Sequence, residues 1–428
     1  MTIGMVFTLI ASVLVLAGEL ALGQAICGAL MRRVGVEAHA EDHSPLAPLF
    51  WISFLVGLFA HLFGVLVIGG IVCGTDVGQA FAVEHSSFFW GVLACAPLCL
   101  SARRWVRDRT LVAWTPTPIT VSWAVWLTVI SALSMSLFDA IETLSTAWPF
   151  NYGDLPFHLG MITSFVYGGN LLPEYQIYAG KGLSYPFFVN LWSALLWFPD
   201  PSFESLDVVF AVQWIVLWCA VFGLLRGDRF YLLPWAVLLG GGSFEVLAKI
   251  MTHTDWNLSG VFGGKLIREQ FPWEPLLPTI WVTQRSALIG VVTLLAAVRY
   301  FHQRFSSTGV ARERIIGIVL PGVTLSLGML AHTHLFLCAF MYLGLNVGFV
   351  VLQNVWGWCS RPAVVRERLT TIVAPLLWLG LSALPTLLSV PFIWDKRGTV
   401  RFVLGWMPWT VAPESGNLGA LIGSVATW

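Results

Sequence analysis

Charge is the first thing this chain is short of. Only 23 Lys and Arg and 23 Asp and Glu occur in 428 residues, 11% of the chain, against roughly a quarter in a soluble domain. That scarcity excludes an ordinary soluble enzyme. A net charge of +0 offers nothing for nucleic acid or a soluble acidic partner to recognise. Metal-like cysteine spacing is missing too: Cys27, Cys73, Cys95, Cys99, Cys219, Cys338 and Cys359 form no CxxC, so they read as small buried apolar residues. The N-terminal MTIGMVFTLIASVLVLAGELALG has no basic start and carries Glu19, so it reads as a first span rather than a cleaved signal. Internal repeats, low-complexity tracts and a soluble domain are absent. What is present is apolar: 57% hydrophobic residues and 22 Trp, some of them interfacial anchors, with a mean hydropathy of +0.78. The fold class that follows is all-α, a polytopic helical membrane protein.

A span needs about 20 apolar residues, and the runs at 4–30, 48–73, 86–102 and 119–140 are the first candidates. Lys and Arg in short loops set orientation. Arg32 and Arg33, then Arg103, Arg104, Arg107 and Arg109, then Arg299, Arg304, Arg312 and Arg314, then Arg361, Arg366 and Arg368 mark the cytoplasmic side. The N-terminus, the segments 141–182 and 250–285, the turn at AHTH and the tail from 394 then share the external face. Arg226 and Arg229, also inside, make 207–225 and 230–249 spans. The run 183–198, between Tyr185-Pro186 and Pro199-Asp200-Pro201, is left as a helix lying at the interface or re-entering. Runs at 286–300, 315–332, 335–354 and 369–393 bring the expected count to about ten. A further apolar run starts at Leu418 and reads as a lost or shortened helix.

The stretch from Trp148 to Pro186 sits between strongly apolar segments, yet holds Asp154, His158, Glu174 and Lys181 among Gly, Pro, Asn and Tyr. It belongs at the membrane surface and is the first candidate for a working site. Asp is a preferred N-cap, and Pro156 suits a first helical turn, so Asp154 either starts a helix or serves as a base. His158 at i+4 shares its helical face. Asp139 and Glu142 lie just beyond the preceding span, where carboxylates are costly without work or partners. As a base, Asp154 takes the proton of an acceptor hydroxyl while that oxygen attacks an activated carbon. His158 then orients Asp154 or binds a donor phosphate; otherwise it is a satisfied interfacial histidine. Asn170, Tyr175, Tyr178 and Lys181 are contacts to sugar or phosphate, or ordinary turn and interface residues.

The cations of the second external segment are Lys265, Arg268 and Arg285. Arg285 opens a span directly after Gln284, within reach of the headgroup zone, where a guanidinium can hold a lipid phosphate bidentately. Ordinary anchoring by an interfacial Arg is the plainer reading, but on the external face the positive-inside bias gives no reason for it. His253 with Asp255, and His332 with His334, resemble fragments of metal sites. Residues two apart on a helix point about 200° apart, so neither pair chelates from a regular helix. The residues point to no particular cofactor, and a divalent metal, though admissible, has no ligand set at a recognisable spacing. Asn257-Leu258-Ser259 has the form of a glycosylation sequon, with no eukaryotic secretory context around it.

The run Asn151-Tyr152-Gly153-Asp154 followed by PFH, then GGN, YAG and LSYPF, resembles the first external loop of bacterial integral-membrane glycosyltransferases of the GT-C class. Gln284-Arg285 opening a span, the AHTH segment, Gly405-Trp406 and the Gly-Asn-Leu-Gly element at Gly416 to Gly419 are similar to the same family. The resemblance covers 119–428. It implies a GT-C-like core over 119–393 with external loops 141–182 and 250–285, interfacial helices in the first loop, additional N-terminal transmembrane helices over 1–118 and an external tail over 394–428. It also implies transfer of a sugar, with inversion, from a polyprenyl-phosphate donor to a lipid, glycan or protein acceptor outside the bacterial inner membrane. Asp154 matches the family's base, and Arg285, with Lys265 in reserve, its phosphate-holding cation. The chain departs from the family in having one Gly-Asp rather than an adjacent acidic pair, which leaves the second carboxylate, Asp139 or Glu142, open.

Three other readings compete. A transporter or flippase of lipid-linked saccharide predicts ionisable residues at mid-membrane and broken helices, whereas the polar residues here gather in external loops, Glu245 being the main buried exception. A ligase using a pyrophosphate carrier predicts more external arginines. An inactive scaffold keeps the fold alone.

Overall fold

The computed structural model describes residues 2–33, 48–84, 89–97, 99, 118–134, 155–171, 178–183, 185–225, 232–239, 285–306, 325 and 328–360, with short pieces at 138–140, 145–146, 174–175 and within 373–389. These are overwhelmingly helical. In chain order they form α1 (Ile3–Arg33), α2 (Pro48–Cys73), α3 (Asp76–Glu84), α4 (Pro118–Ser134), α5 (Leu155–Gly168), α6 (Phe188–Trp197), α7 (Phe203–Leu225), α8 (Leu233–Leu239), α9 (Arg285–Ser306) and α10 (Thr333–Ser360). Among the described residues, four helices are long and apolar enough to cross a membrane: Ile3–Ala29, Phe50–Cys73, Phe203–Leu225 and Thr333–Gln353. They coincide with the apolar runs 4–30, 48–73, 207–225 and 335–354. The chain is a helical membrane protein.

Helix α1 lays one face on α2. Thr8, Ser12, Val15, Glu19 and Cys27 are buried along it, while Phe7, Ile10, Val13 and Leu14 on the other side are exposed. Two glycines set how closely the helices meet. A Cβ on Gly23 would overlap the Ser53 carbonyl, and one on Gly57 would overlap that of Glu19, the close approach that small residues allow in membranes. At the start of α1, a Cβ on Gly4 would overlap the Asp200 carboxylate, so that end of α1 lies beside the turn into α7. Ser202 caps α7, its Oγ accepting from the Ser205 N–H at 3.3 Å. An aromatic cluster ties α4 to α7 and α8: Trp126 packs on Trp218, Phe222 and Trp235, and its indole N–H donates to the Trp218 carbonyl at 3.2 Å.

All ten residues of α6 are buried. At about 1.5 Å per residue it is roughly 15 Å long, half the thickness of a hydrocarbon core. Helix α6 packs against α5, α7, α1 and α2, so protein rather than lipid or water covers it; it is the short helix expected at the interface or re-entering over 183–198. The reason is its composition, since a helix apolar all round is a core helix. The first loop, expected to hold interfacial helices, contains α5 and also two small antiparallel hairpins, Phe138–Ala140 with Ser145–Thr146 and Glu174–Tyr175 with Tyr178–Gly182. Helix α5 ends at Gly169, whose φ of 58° is the left-handed cap conformation glycine adopts without strain.

Candidate functional site

Three polar side chains project from the buried elements into one neighbourhood, and α6 carries two of them. Asn190, buried in α6, places its Nδ2 3.1 Å from Nδ1 of His158 in the first turn of α5. One turn further along α6, Ser193 Oγ donates to Gln213 Oε1 of α7 at 3.0 Å. The same Gln213 oxygen accepts from Nη1 of Arg285, the first residue of α9, at 3.4 Å. The Arg285 guanidinium carbon also stands 3.3 Å from the Phe210 ring centroid, a cation–π stack. His158 thus bonds to α6 directly, and Arg285 reaches it only through Gln213, at α6 positions separated by about 4.5 Å of helical rise.

Two atoms of this arrangement are buried with unspent hydrogen-bonding capacity, Asn190 Oδ1 and Gln213 Nε2. As placed, the Asn190 amide donates to His158, which assigns the ring proton to Nε2. The opposite amide orientation would let Oδ1 accept from Nδ1–H, and the choice fixes the tautomer. His158 is also boxed by Phe157 and Tyr185, each ring centroid 6.0 Å away, and those two rings meet edge to face at 5.0 Å. Among the described residues no carboxylate lies within ion-pair reach of Arg285. Its contacts are close to the midpoint of the 23-residue α7. A partly buried cation held by one neutral amide and one ring keeps most of its charge for an anionic ligand.

Helix α5 opens at Leu155, one residue after Asp154, so His158 lies in the helix that Asp154 introduces. Asp154 itself lies outside the described residues, as do Glu142, Lys265 and Glu245. Asp139 falls in the first small hairpin, and Tyr178 and Lys181 on the last strand of the second. Asn170 is occupied by its own turn: Oδ1 accepts from the Glu174 N–H at 2.9 Å, and Nδ2 donates to the Glu174 carbonyl at 2.9 Å and to Ser164 Oγ at 3.3 Å.

His332 sits between the helical residues 328–331 and the start of α10. It caps α10, Nδ1 accepting from the Leu335 N–H at 3.3 Å. Its ring lies 5.7 Å, centroid to centroid, from that of His334. A Cβ on Gly290 would lie 3.1 Å from the His332 Cβ, so this turn packs on α9 little more than one helical turn beyond Arg285. Among the described residues no three His, Cys, Asp or Glu side chains gather as a metal site.

Asn190, Ser193, Gln213 and Phe210 were not anticipated as site residues. The available signal was three amide or hydroxyl side chains inside otherwise apolar runs, where a polar group is kept only with a partner. No protein-family model, no curated protein and no solved structure matches the chain.

Proposed function

We propose that the chain is an integral-membrane glycosyltransferase that moves a sugar from a polyprenyl-phosphate donor to an acceptor on the external face of a bacterial inner membrane. The observation that carries this reading is that a histidine from the first loop bonds to Asn190 of α6, while an arginine from the start of α9 bonds to Gln213 of α7, which in turn accepts from Ser193 one turn along α6. In the reaction, an acceptor hydroxyl oxygen bonds to the anomeric carbon as the bond from that carbon to the phosphate oxygen breaks on the opposite face, inverting the centre. Asp154 takes the hydroxyl proton. His158, held by Asn190, positions the base or the phosphate. Arg285 stabilises the negative charge left on the polyprenyl phosphate. A GT-C-like architecture of about ten spans, with loops 141–182 and 250–285 outside, belongs to the same proposal.

The test is transfer of radiolabelled sugar from a panel of polyprenyl-phosphate sugars by wild type and Asp154→Asn at matched expression. This exchange keeps N-cap ability and removes the base. Transfer by wild type with loss in Asp154→Asn is expected; equal transfer by both moves the base to Asp139 or Glu142.

One observation favours a second reading, a transporter or flippase of lipid-linked saccharide. Glu19 and His61 are buried within α1 and α2 and bonded to each other at 2.9 Å, an ionisable pair at span depth of the kind transport uses. Movement of a labelled lipid-linked sugar across proteoliposomes, without transfer to any acceptor, would select it.

A further inference from the structure

The cysteines, read from the sequence as small buried apolar residues, divide into two groups in the structure. Among the described residues Cys27, Cys73 and Cys219 are buried, whereas Cys95, Cys99 and Cys338 are exposed, and all are free thiols. Cys95 and Cys99 stand together on the helical residues 89–97 and 99. Trp90, Leu93 and Ala94 of this segment are buried, while Val92, 55% exposed, faces out with the two thiols. Pro97 accounts for the choice of face. It has no N–H to return to the carbonyl of Leu93, four residues back, and that carbonyl instead accepts from Nε2 of His61 in α2 at 3.0 Å. The segment therefore hangs on α2 by the turn that Pro97 closes. Cys95 and Cys99, each two residues from the buried Pro97, point about 200° away from it.

The spacing selects the chemistry open to this pair. Side chains at i and i+4 on a helix hold their Cβ atoms about 5–6 Å apart, wider than the roughly 3.5–4.5 Å of a disulfide. A linear sulfur–metal–sulfur unit spans about 4.6 Å, with bonds of about 2.3 Å, and two cysteines so placed reach it with no movement of the backbone. Zinc takes a tetrahedral ligand set, and among the described residues no three His, Cys, Asp or Glu side chains gather to supply one. Cuprous ion is soft, selects thiolates and is satisfied by two of them in line.

We infer that Cys95 and Cys99 form a two-coordinate site for cuprous ion on the exposed face of this helix. As the ion binds, each thiol releases a proton and each sulfur forms a bond to copper, which keeps its oxidation state; the complex carries a single negative charge. Arg103, Arg104, Arg107 and Arg109 follow Cys99 in the sequence and offer charge of the opposite sign. By the positive-inside bias the same arginines put this end of the helix on the cytoplasmic side, where thiols stay reduced. This inference does not depend on the transfer reaction.

The test uses the full chain in detergent, reduced and free of oxygen, titrated with Cu(I) against the chelator bathocuproine disulfonate. Wild type is expected to take a single Cu(I) from the chelator, with an X-ray absorption spectrum of two sulfur neighbours and no others. Cys95→Ser and Cys99→Ser are each expected to lower the affinity at least ~100-fold, since even an outer partner of a metal ligand is worth ~10–100-fold. Both positions are exposed, so the serine variants are expected to elute and unfold as wild type does. Cys338→Ser, at the other exposed thiol, should bind as wild type. The double variant Val92→Cys/Cys95→Ser keeps two thiols on the exposed face but about 10 Å apart along the helix, and is expected to bind no better than Cys95→Ser. Full binding by either serine variant or by the double variant, or failure of wild type to take copper from the chelator, overturns the inference.

Discussion

Replacing Arg285 by Met separates its structural contribution from its chemical one. What the side chain gains from the protein is small. Its stack on Phe210 at 3.3 Å contributes about 1–2 kcal/mol when partly desolvated. The bond to Gln213 at 3.4 Å is at the long edge of hydrogen bonding and falls at or below the usual ~1 kcal/mol. Against these stands the desolvation of a cation with no described carboxylate partner, several kcal/mol for a fully buried ion and about half that for a side chain still partly open to solvent. The terms cancel to within about 1 kcal/mol, and Met, which fills irregular apolar space, leaves no charge to solvate. Arg285→Met is therefore expected to unfold in detergent within ~1 kcal/mol of wild type, on the stabilising side. If Arg285 holds the departing phosphate, the same variant loses about 10²-fold in sugar transfer, as removal of a single charge-stabilising donor does elsewhere. Arg285→Lys, which keeps charge but loses the planar stack and the fork, should fall between. A variant destabilised by more than ~2 kcal/mol that still transfers normally would refute the reasoning, since the arginine would then be structural.

Other outcomes follow from the same geometry. Asn190→Leu removes the bond to His158 and should cost about 1–3 kcal/mol; its effect on transfer should be non-additive with His158→Ala in a double-mutant cycle. Gly57→Ala drives a methyl into the Glu19 carbonyl and should destabilise by about 2 kcal/mol or more, measured by thermal unfolding in detergent. Ser202→Ala removes the cap of α7 and should cost about 1 kcal/mol on the same measurement, with Ser202→Asp, a good cap residue, recovering less because it stands against Asp200.

The parts of the fold legible in the sequence are those written as uninterrupted hydropathy. Runs such as PLFWISFLVGLFAHLFGVLVIGG over α2 have one stable arrangement in lipid, because every backbone group must be bonded within the segment. The start of α5 after Asp154 was legible through cap and proline chemistry, and Arg285 through its place at a helix start. The pairing of Glu19 with His61 was not, because 42 residues separate them and nothing local to Glu19 names its partner. The hydropathy of 188–197 also could not say whether lipid or protein would cover it, since both are equally apolar to a Leu or Phe side chain. Asn190 and Ser193 marked the difference, yet a lone polar residue in an apolar run reads equally as noise. The nearness of His332 to His334 was hidden for another reason: residues two apart face away from each other within a helix, and here His332 stands just before the first residue of α10.

Helix α6 also constrains the order in which the chain is put together. Long apolar segments such as α1, α2 and α7 can each enter a bilayer as independent units, and their association comes afterwards. A ten-residue segment is too short to hold a transmembrane position alone, so α6 has no resting place until the helices around it have gathered. Its seat exists only in the assembled bundle, and the contacts to His158 and Gln213 are therefore among the last to form. Substitutions at Asn190 or Ser193 should accordingly yield chains that insert fully but stay protease-sensitive between α5 and α7, a defect of maturation rather than of membrane targeting.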